Sequence, residues 1–481
     1  RGLGDVYKRQ DSMTVETVGV SFLILGVFLL IGKAIRYKVS WISNLFLPSS
    51  IVGGFLALIV GPGILGPVLN QFVSPDSFFA NGLIPDSILE VWSALPSMFI
   101  TIIFASIFLG DSVPSIRKIW KIASPQILMG HAVSWGQYVI GMLLTVLVLT
   151  PFFGMNPLSG ALIEIAFVGG HGTAAGLSNT FNDLGFPEGA DLALGLATIG
   201  VLTGVIVGIF LINYMQRKGQ AQYVDAEATD ERREQIGESH GLDTEPDVIE
   251  AKAIEPLAFH FALIAVAIIG GYLILQVLIF LETLIRGEDA EMIFFSLVPS
   301  FPIAMIAGML IQMVANKLGF ANYIDRNIIN KISGFALDVL LVSSLATLSL
   351  DVIGSNFIPI ILLSLIAIAF NIFAVLYLAP RLIPDYWFER AMGDFGQATG
   401  MAATGILLMK VVDPQGQTPA MEGFSYKQIL FEPFVGGGLV TSASMPLILA
   451  LGPVTFLIIS IVMFVIFLII GFTNFRRLKG S

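Results

Sequence analysis

Apolar runs of about twenty residues recur along the whole chain, and about that length of helix is needed to cross a hydrocarbon layer of about 30 Å. They lie near 17–36, 47–66, 88–110, 126–150 and 190–214, and again near 257–281, 293–315, 333–352, 357–379, 428–450 and 454–474. Two further stretches, 158–184 and 390–412, are apolar but broken by glycine and polar residues. Only 12% of the 481 residues are charged, against about 25% in an ordinary soluble domain. The mean hydropathy is +0.85. No single soluble core hides that much apolar surface, so the expected class is an all-α polytopic membrane protein.

Cysteine is absent, which removes disulfides, thiolate nucleophiles and cysteine metal sites. The four histidines, His131, His171, His240 and His260, have no ligand-like spacing. No nucleophile–base pair or Walker loop is present, so an enzyme, an ATP-driven pump and a nucleic-acid binder are all poor readings. The net charge of −10 is mostly local, because the stretch 216–256 holds 11 acids and 5 bases. That stretch reads as a solvated linker. The first residues, 1–12, fit nothing that follows and read as a non-native leader.

The positive-inside rule tests the spans. With the N-terminus outside, 21 of the 25 basic residues fall in cytoplasmic segments. Arg286 is the one exception beyond the leader, and it sits among Glu282, Glu288, Asp289 and Glu291. The pattern holds only if 158–184 and 390–412 turn back without crossing. Trp41, Trp92, Trp120 and Trp387 fall near span ends, which suits interfacial anchoring.

The linker divides the spans into two sets. Residues 13–215 carry five spans with a broken stretch between the fourth and fifth, and 257–453 repeat that order. Five is odd, so the second set enters the membrane from the opposite side. The expected fold is therefore two inverted-topology halves of five transmembrane helices, each with one re-entrant hairpin, plus one extra C-terminal helix in 454–481.

The tip of the first broken stretch holds Gly169, Gly170, His171, Gly172 and Thr173; the second holds Asp394, Gly396, Gln397, Thr399, Gly400 and Thr404. Glycine costs about 1 kcal/mol inside a helix, and non-helical backbone survives at membrane depth only beside protein or a watery cavity. Broken helices supply free N–H groups for anions and free carbonyls for cations. Gly200, Gly204 and Gly208 instead read as a close-packing face. No basic side chain falls squarely within a span, so an anionic solute is expected to meet backbone N–H groups, hydroxyls, His171 and bound cations.

The run PLSGALIEIAFVGGHGTAAGLSNTF, followed by LGFPEGADLALGLATIGVLTGVIVG, resembles the core of the sodium/glutamate symporter family. Its GGHGT motif and Ala197-Thr198-Ile199-Gly200 carry the likeness, and GDFGQATGMAAT is similar to the family's second hairpin. The resemblance implies Na+-coupled symport of glutamate or a related small carboxylate by a homodimer. The expected place is the cell's inner membrane, and the span count with Arg476, Arg477 and Lys479 after the last span puts the C-terminus in the cytoplasm. No cofactor beyond the coupling Na+ is implied. Glu164, Glu432 and the span 454–474 depart from the family's pattern.

Intramembrane charges are costly and functional by default. Glu164, Asp338, Asp394 and Glu432, with the Thr198 hydroxyl, are thus the candidate Na+ ligands. Alternatives are a carboxylate transporter of other specificity, an H+/Na+ exchanger without organic substrate, or a channel.

Overall fold

The computed structural model describes residues 14–43, 47–72, 82–111, 115–221, 256–287 and 293–480. The leader and most of the acidic linker lie outside the described residues. No strand occurs among the described residues, and ten helices are long and apolar enough to cross a membrane.

The first set comprises α1 (Val15–Lys38), α2 (Ser49–Val60), α3 (Asp86–Ser106) and α4 (Ile116–Leu144). Then come the broken stretch with α5 (Gly170–Gly176) and α6 (Ser178–Asp183), and α7 (Gly189–Arg217). The second set comprises α8 (Pro256–Arg286), α9 (Phe301–Leu318), α10 (Arg326–Ala346), the short α11 (Leu350–Ser355) and α12 (Phe357–Phe373). After these come α13 (Trp387–Thr399) and α14 (Ala402–Val412), α15 (Ala420–Phe431) and α16 (Leu439–Leu451), and the last helix, α17 (Pro453–Lys479).

Several edges shift for local reasons. The helix expected from 126 starts at Ile116, because the Ser115 side chain caps its first turn and Arg117, Lys118 and Lys121 form a polar turn that hydropathy alone leaves out. The helix expected from 293 starts at Phe301 instead, with Pro302 in its first turn, where proline's missing N–H costs nothing.

One expectation fails. The span 428–450 is not a continuous helix: α15 ends at Phe431, α16 begins at Leu439, and the chain between them is non-helical. Pro433 and the triplet Gly436, Gly437 and Gly438 break it, with Gly436 and Gly437 both at positive φ, a conformation that favours glycine. There are thus three interrupted segments where two were expected.

Packing relates the two sets reciprocally. α1 lies on α2 as α8 lies on α9; α2 packs on α10 as α9 packs on α3; and α3 and α10 pack on each other. α4 runs directly into a π-helical turn at Thr145–Leu149, and α12 does the same at Ala374–Leu378. α17 lies along α4. Helices α1, α8 and α17 keep less than a quarter of their apolar windows buried, as helices facing hydrocarbon do.

Trp92 corrects the anchoring expectation. It is fully buried, and its indole N–H donates to the Ser21 carbonyl at 3.2 Å. Trp120 is exposed, and the Trp41 side chain lies outside the described residues. His131 is buried, bonded to the Leu430 carbonyl at 3.1 Å and stacked on Phe467.

Arg326 fastens the end of α3. Its guanidinium donates to the carbonyls of Ser106 at 3.0 Å and Leu109 at 2.8 Å, and pairs with Asp111 at 3.3 Å. Arg326→Met is expected to cost about 1.5–3 kcal/mol, the usual worth of hydrogen bonds from a charged donor. Thermal unfolding in detergent checks this: an unchanged midpoint would mean that water replaces the guanidinium without loss.

Candidate functional site

The three interruptions meet. Gly170 lies at φ 69°, and a Cβ built on it would stand 2.6 Å from the Gly400 carbonyl oxygen. The break in the first stretch therefore touches the break in the second. A Cβ on Gly437 would stand 2.6 Å from the Thr173 hydroxyl oxygen, which brings the third break against the same place. Gly200 and Gly204 of α7 let Thr399 approach, since Cβ atoms there would meet its carbonyl and hydroxyl oxygens at 2.2 and 2.4 Å. The α7 glycines thus form a close-packing face, and what they seat is the second break.

Neither arm of the second stretch is long. α13 has 13 residues and α14 has 11, about 20 and 16 Å at 1.5 Å per residue, well short of a crossing of about 30 Å. The arms pack against each other. The last carbonyls of α13 are not all left bare. The Ala398 oxygen accepts from the Gln137 amide of α4 at 2.8 Å and from the Asn371 amide of α12 at 3.0 Å.

His171 is buried, and its Nε2 is 3.0 Å from the Thr198 hydroxyl oxygen. That hydroxyl donates its one proton to the Leu194 carbonyl at 3.0 Å, so it accepts from His171 Nε2–H. The ring's Nδ1 is buried without a partner. In the neutral ring it is an acceptor; it donates to a carboxylate only when the ring carries a second proton. GGHGT and Ala197-Thr198-Ile199-Gly200, read separately in the sequence, are thus joined by this bond.

Asp394 does not stand free. Its Oδ1 accepts from the Lys427 ammonium at 2.6 Å, and Lys427 also donates to Gln397 Oε1 at 2.7 Å. Gln397 and Gln428 exchange further amide bonds. Lys427 is 1% exposed, with its ammonium 4.3 Å from the Phe431 ring centroid and 5.2 Å from that of Phe424. A basic side chain is thus buried in the protein beside the second broken stretch. Lys427 precedes the apolar run 428–450 and so falls in a segment expected to be cytoplasmic. The only local sign of its burial was its place between Phe424 and Phe431 at helical spacing.

Glu164 is fully buried and wholly engaged. Its Oε1 accepts from the hydroxyls of Ser134 and Thr441, each at 2.9 Å, and from the Gly436 amide at 3.1 Å. Its Oε2 accepts from the Tyr138 hydroxyl at 2.6 Å. Nothing local in the sequence marks Ser134, Tyr138, Gly436 or Thr441 as a set.

The other candidates lie apart. Asp338 is half-buried on α10 beside Ser50 of α2, on neither broken stretch. Glu432 is half-buried at the third break, within electrostatic reach of Lys427 and Arg326. Thr404 lies one turn beyond Gly400, its hydroxyl oxygen 3.1 Å from where a Gly400 Cβ would stand. A cavity of about 530 Å³ opens between α3, α6, α8 and the start of α9, with Thr101, Asn179, Asp183 and Phe301 in its wall. None of the binding residues expected from the sequence lines it.

A family profile described as sodium/glutamate symporter matches residues 14–413. Two curated relatives, both sodium/glutamate symporters, come from Escherichia coli (strain K12) and Shigella flexneri. Each is 22% identical over 418 residues, 85% of this chain and 90% of the relative. Symporters are transporters and not enzymes. The matched profile contains the first two breaks with their contact; the third break, Lys427 and α17 lie beyond it. On a match across most of its length, the chain belongs to the sodium/glutamate symporter family.

Proposed function

We propose that the chain is a secondary transporter that couples Na+ to the symport of glutamate or a related small carboxylate into the cell. The contact of Gly170 with Gly400 is the observation that carries this reading. Two interrupted segments that end on each other offer unpaired backbone dipoles to one captured solute. The short arms of α13 and α14 and the reciprocal packing of the two sets support re-entrant hairpins inside two inverted halves, 13–215 and 257–453. The solute would sit among the backbone of Gly169, Gly170, Gly172, Gly396 and Gly400 and the side chains of His171, Thr173, Gln397, Thr399 and Thr404. The neutral His171 ring suits the amino group of an amino acid, which donates to Nδ1, while backbone N–H groups take the carboxylates. Alternating access would shift the hairpins with α7 against a scaffold built on α2, α3, α9 and α10. A homodimer, an outside N-terminus and a cytoplasmic C-terminus complete the proposal.

Purified protein in liposomes tests it. Radiolabelled glutamate is expected to accumulate with an inward Na+ gradient and to equilibrate without one, and His171→Ala is expected to reduce uptake at least tenfold, about 1.4 kcal/mol. Equal uptake with and without the gradient would refute coupling.

A further inference from the structure

Glu164 and Asp394 occupy matching places. Each lies on the first arm of its broken stretch, six residues ahead of the glycine that meets the other stretch, Gly170 and Gly400 respectively. Both side chains are buried. A carboxylate at such depth needs a compensating charge or a full set of donors. The two are compensated differently. Asp394 holds the ammonium of Lys427 at 2.6 Å, a cation tethered to α15. Glu164 has no cation within ion-pair distance among the described residues. Around it stand the hydroxyls of Ser134, Tyr138 and Thr441 and the Gly436 amide. Hydroxyl and carboxylate oxygens are the ligands that a hard cation prefers.

The interrupted helix serves both carboxylates. Before its break, α15 brings Lys427 to Asp394; after it, Gly436 and Thr441 reach Glu164. The Tyr138 hydroxyl proton has other oxygens near it. Ser444 and Thr441 both lie beside the Tyr138 hydroxyl. The Tyr138 oxygen can therefore turn a lone pair toward an arriving cation while its proton turns to a neighbouring hydroxyl.

From this asymmetry we infer that the two carboxylates divide the cation work. Asp394 is neutralised by the resident Lys427 ammonium and does not ligate Na+. Glu164, with the oxygens of Ser134, Tyr138 and Thr441, is the site of the exchangeable Na+. The inference deepens the symport reading and rests on it for the word coupling. Its test is chosen to need no transport and no glutamate.

The full chain, purified in detergent, is unfolded by heat at rising NaCl, with choline chloride holding ionic strength constant. A ligand that binds the folded state raises the midpoint by mass action. The wild type is expected to show a saturable Na+-specific rise, and Glu164→Gln to lose it. Ser134→Ala and Thr441→Val keep the carboxylate and are expected to raise the half-saturating Na+ about tenfold, near the 1.4 kcal/mol of one lost ligand contact. These two decide the matter if Glu164→Gln fails to fold. The double variant Asp394→Asn/Lys427→Gln is expected to keep the wild-type half-saturation. A Na+ rise that survives in Glu164→Gln, a half-saturating Na+ left unchanged in both hydroxyl variants, or a rise that vanishes in the double variant, overturns the inference. So does a wild-type midpoint that follows pH and ignores Na+. A Na+ rise at Glu164 without glutamate uptake in liposomes would instead leave this site standing and defeat the symport reading.

Discussion

Lys427→Met is expected to lose about 3–5 kcal/mol of stability, the usual cost of leaving one member of a buried ion pair without its partner. The neighbourhood explains the size. The Asp394 side chain is 2% exposed, and its Oδ1 has the ammonium at 2.6 Å, while its Oδ2 has no partner. With the lysine gone, the buried carboxylate is left without the ammonium that compensates it. Methionine fills much of the lysine stem's volume between Phe424 and Phe431, so the loss reads charge more than packing. Adding Asp394→Asn to Lys427→Met is expected to recover most of the stability, because the uncompensated charge then disappears. Heat unfolding of the two variants in the same detergent gives the answer. A single variant as stable as the wild type would mean that the pair is not closed off from solvent.

The second large effect belongs to the seat of the second break. Gly200→Val is expected to reduce glutamate uptake at least tenfold, or about 1.4 kcal/mol in the rate-limiting barrier. A Cβ at that position would stand 2.2 Å from the Thr399 carbonyl oxygen, which no side chain tolerates without movement of backbone. Thr399 precedes Gly400, so the movement separates Gly400 from Gly170. Gly334→Ala is the companion measurement. That glycine lies in α10 with nothing within 4 Å of a Cβ, and alanine there is expected to leave uptake unchanged and to stabilise the helix by about 1 kcal/mol. If both variants transport like the wild type, the contact between the breaks is not needed for transport.

Much of the fold was legible in residue order. A crossing helix must carry its own apolar length, and an interrupted segment must carry its own glycines, so both are written locally. Ten of the eleven expected spans stand as helices, with edges shifted where a capping Ser115 or an early proline such as Pro302 set the start. The tenth failed because its mean hydropathy hid Pro433 and three consecutive glycines, a stronger signal for backbone than for composition. GGHGT and Ala197-Thr198-Ile199-Gly200 were readable as motifs, whereas the bond from His171 to Thr198 was not.

What the sequence determined by itself is the class, the spans, the two interrupted stretches and the glycine face of α7, since each follows from residues within a few turns of one another. The tertiary structure alone decided which charges are compensated and by what. Lys427 reaches back 33 residues to Asp394, and the Gly436 amide reaches back 272 to Glu164. Helical periodicity says which face a side chain takes; it says nothing about which distant helix meets that face. In a low-dielectric interior that meeting fixes whether a carboxylate is held by an ammonium, as Asp394 is, or by hydroxyl and amide donors, as Glu164 is.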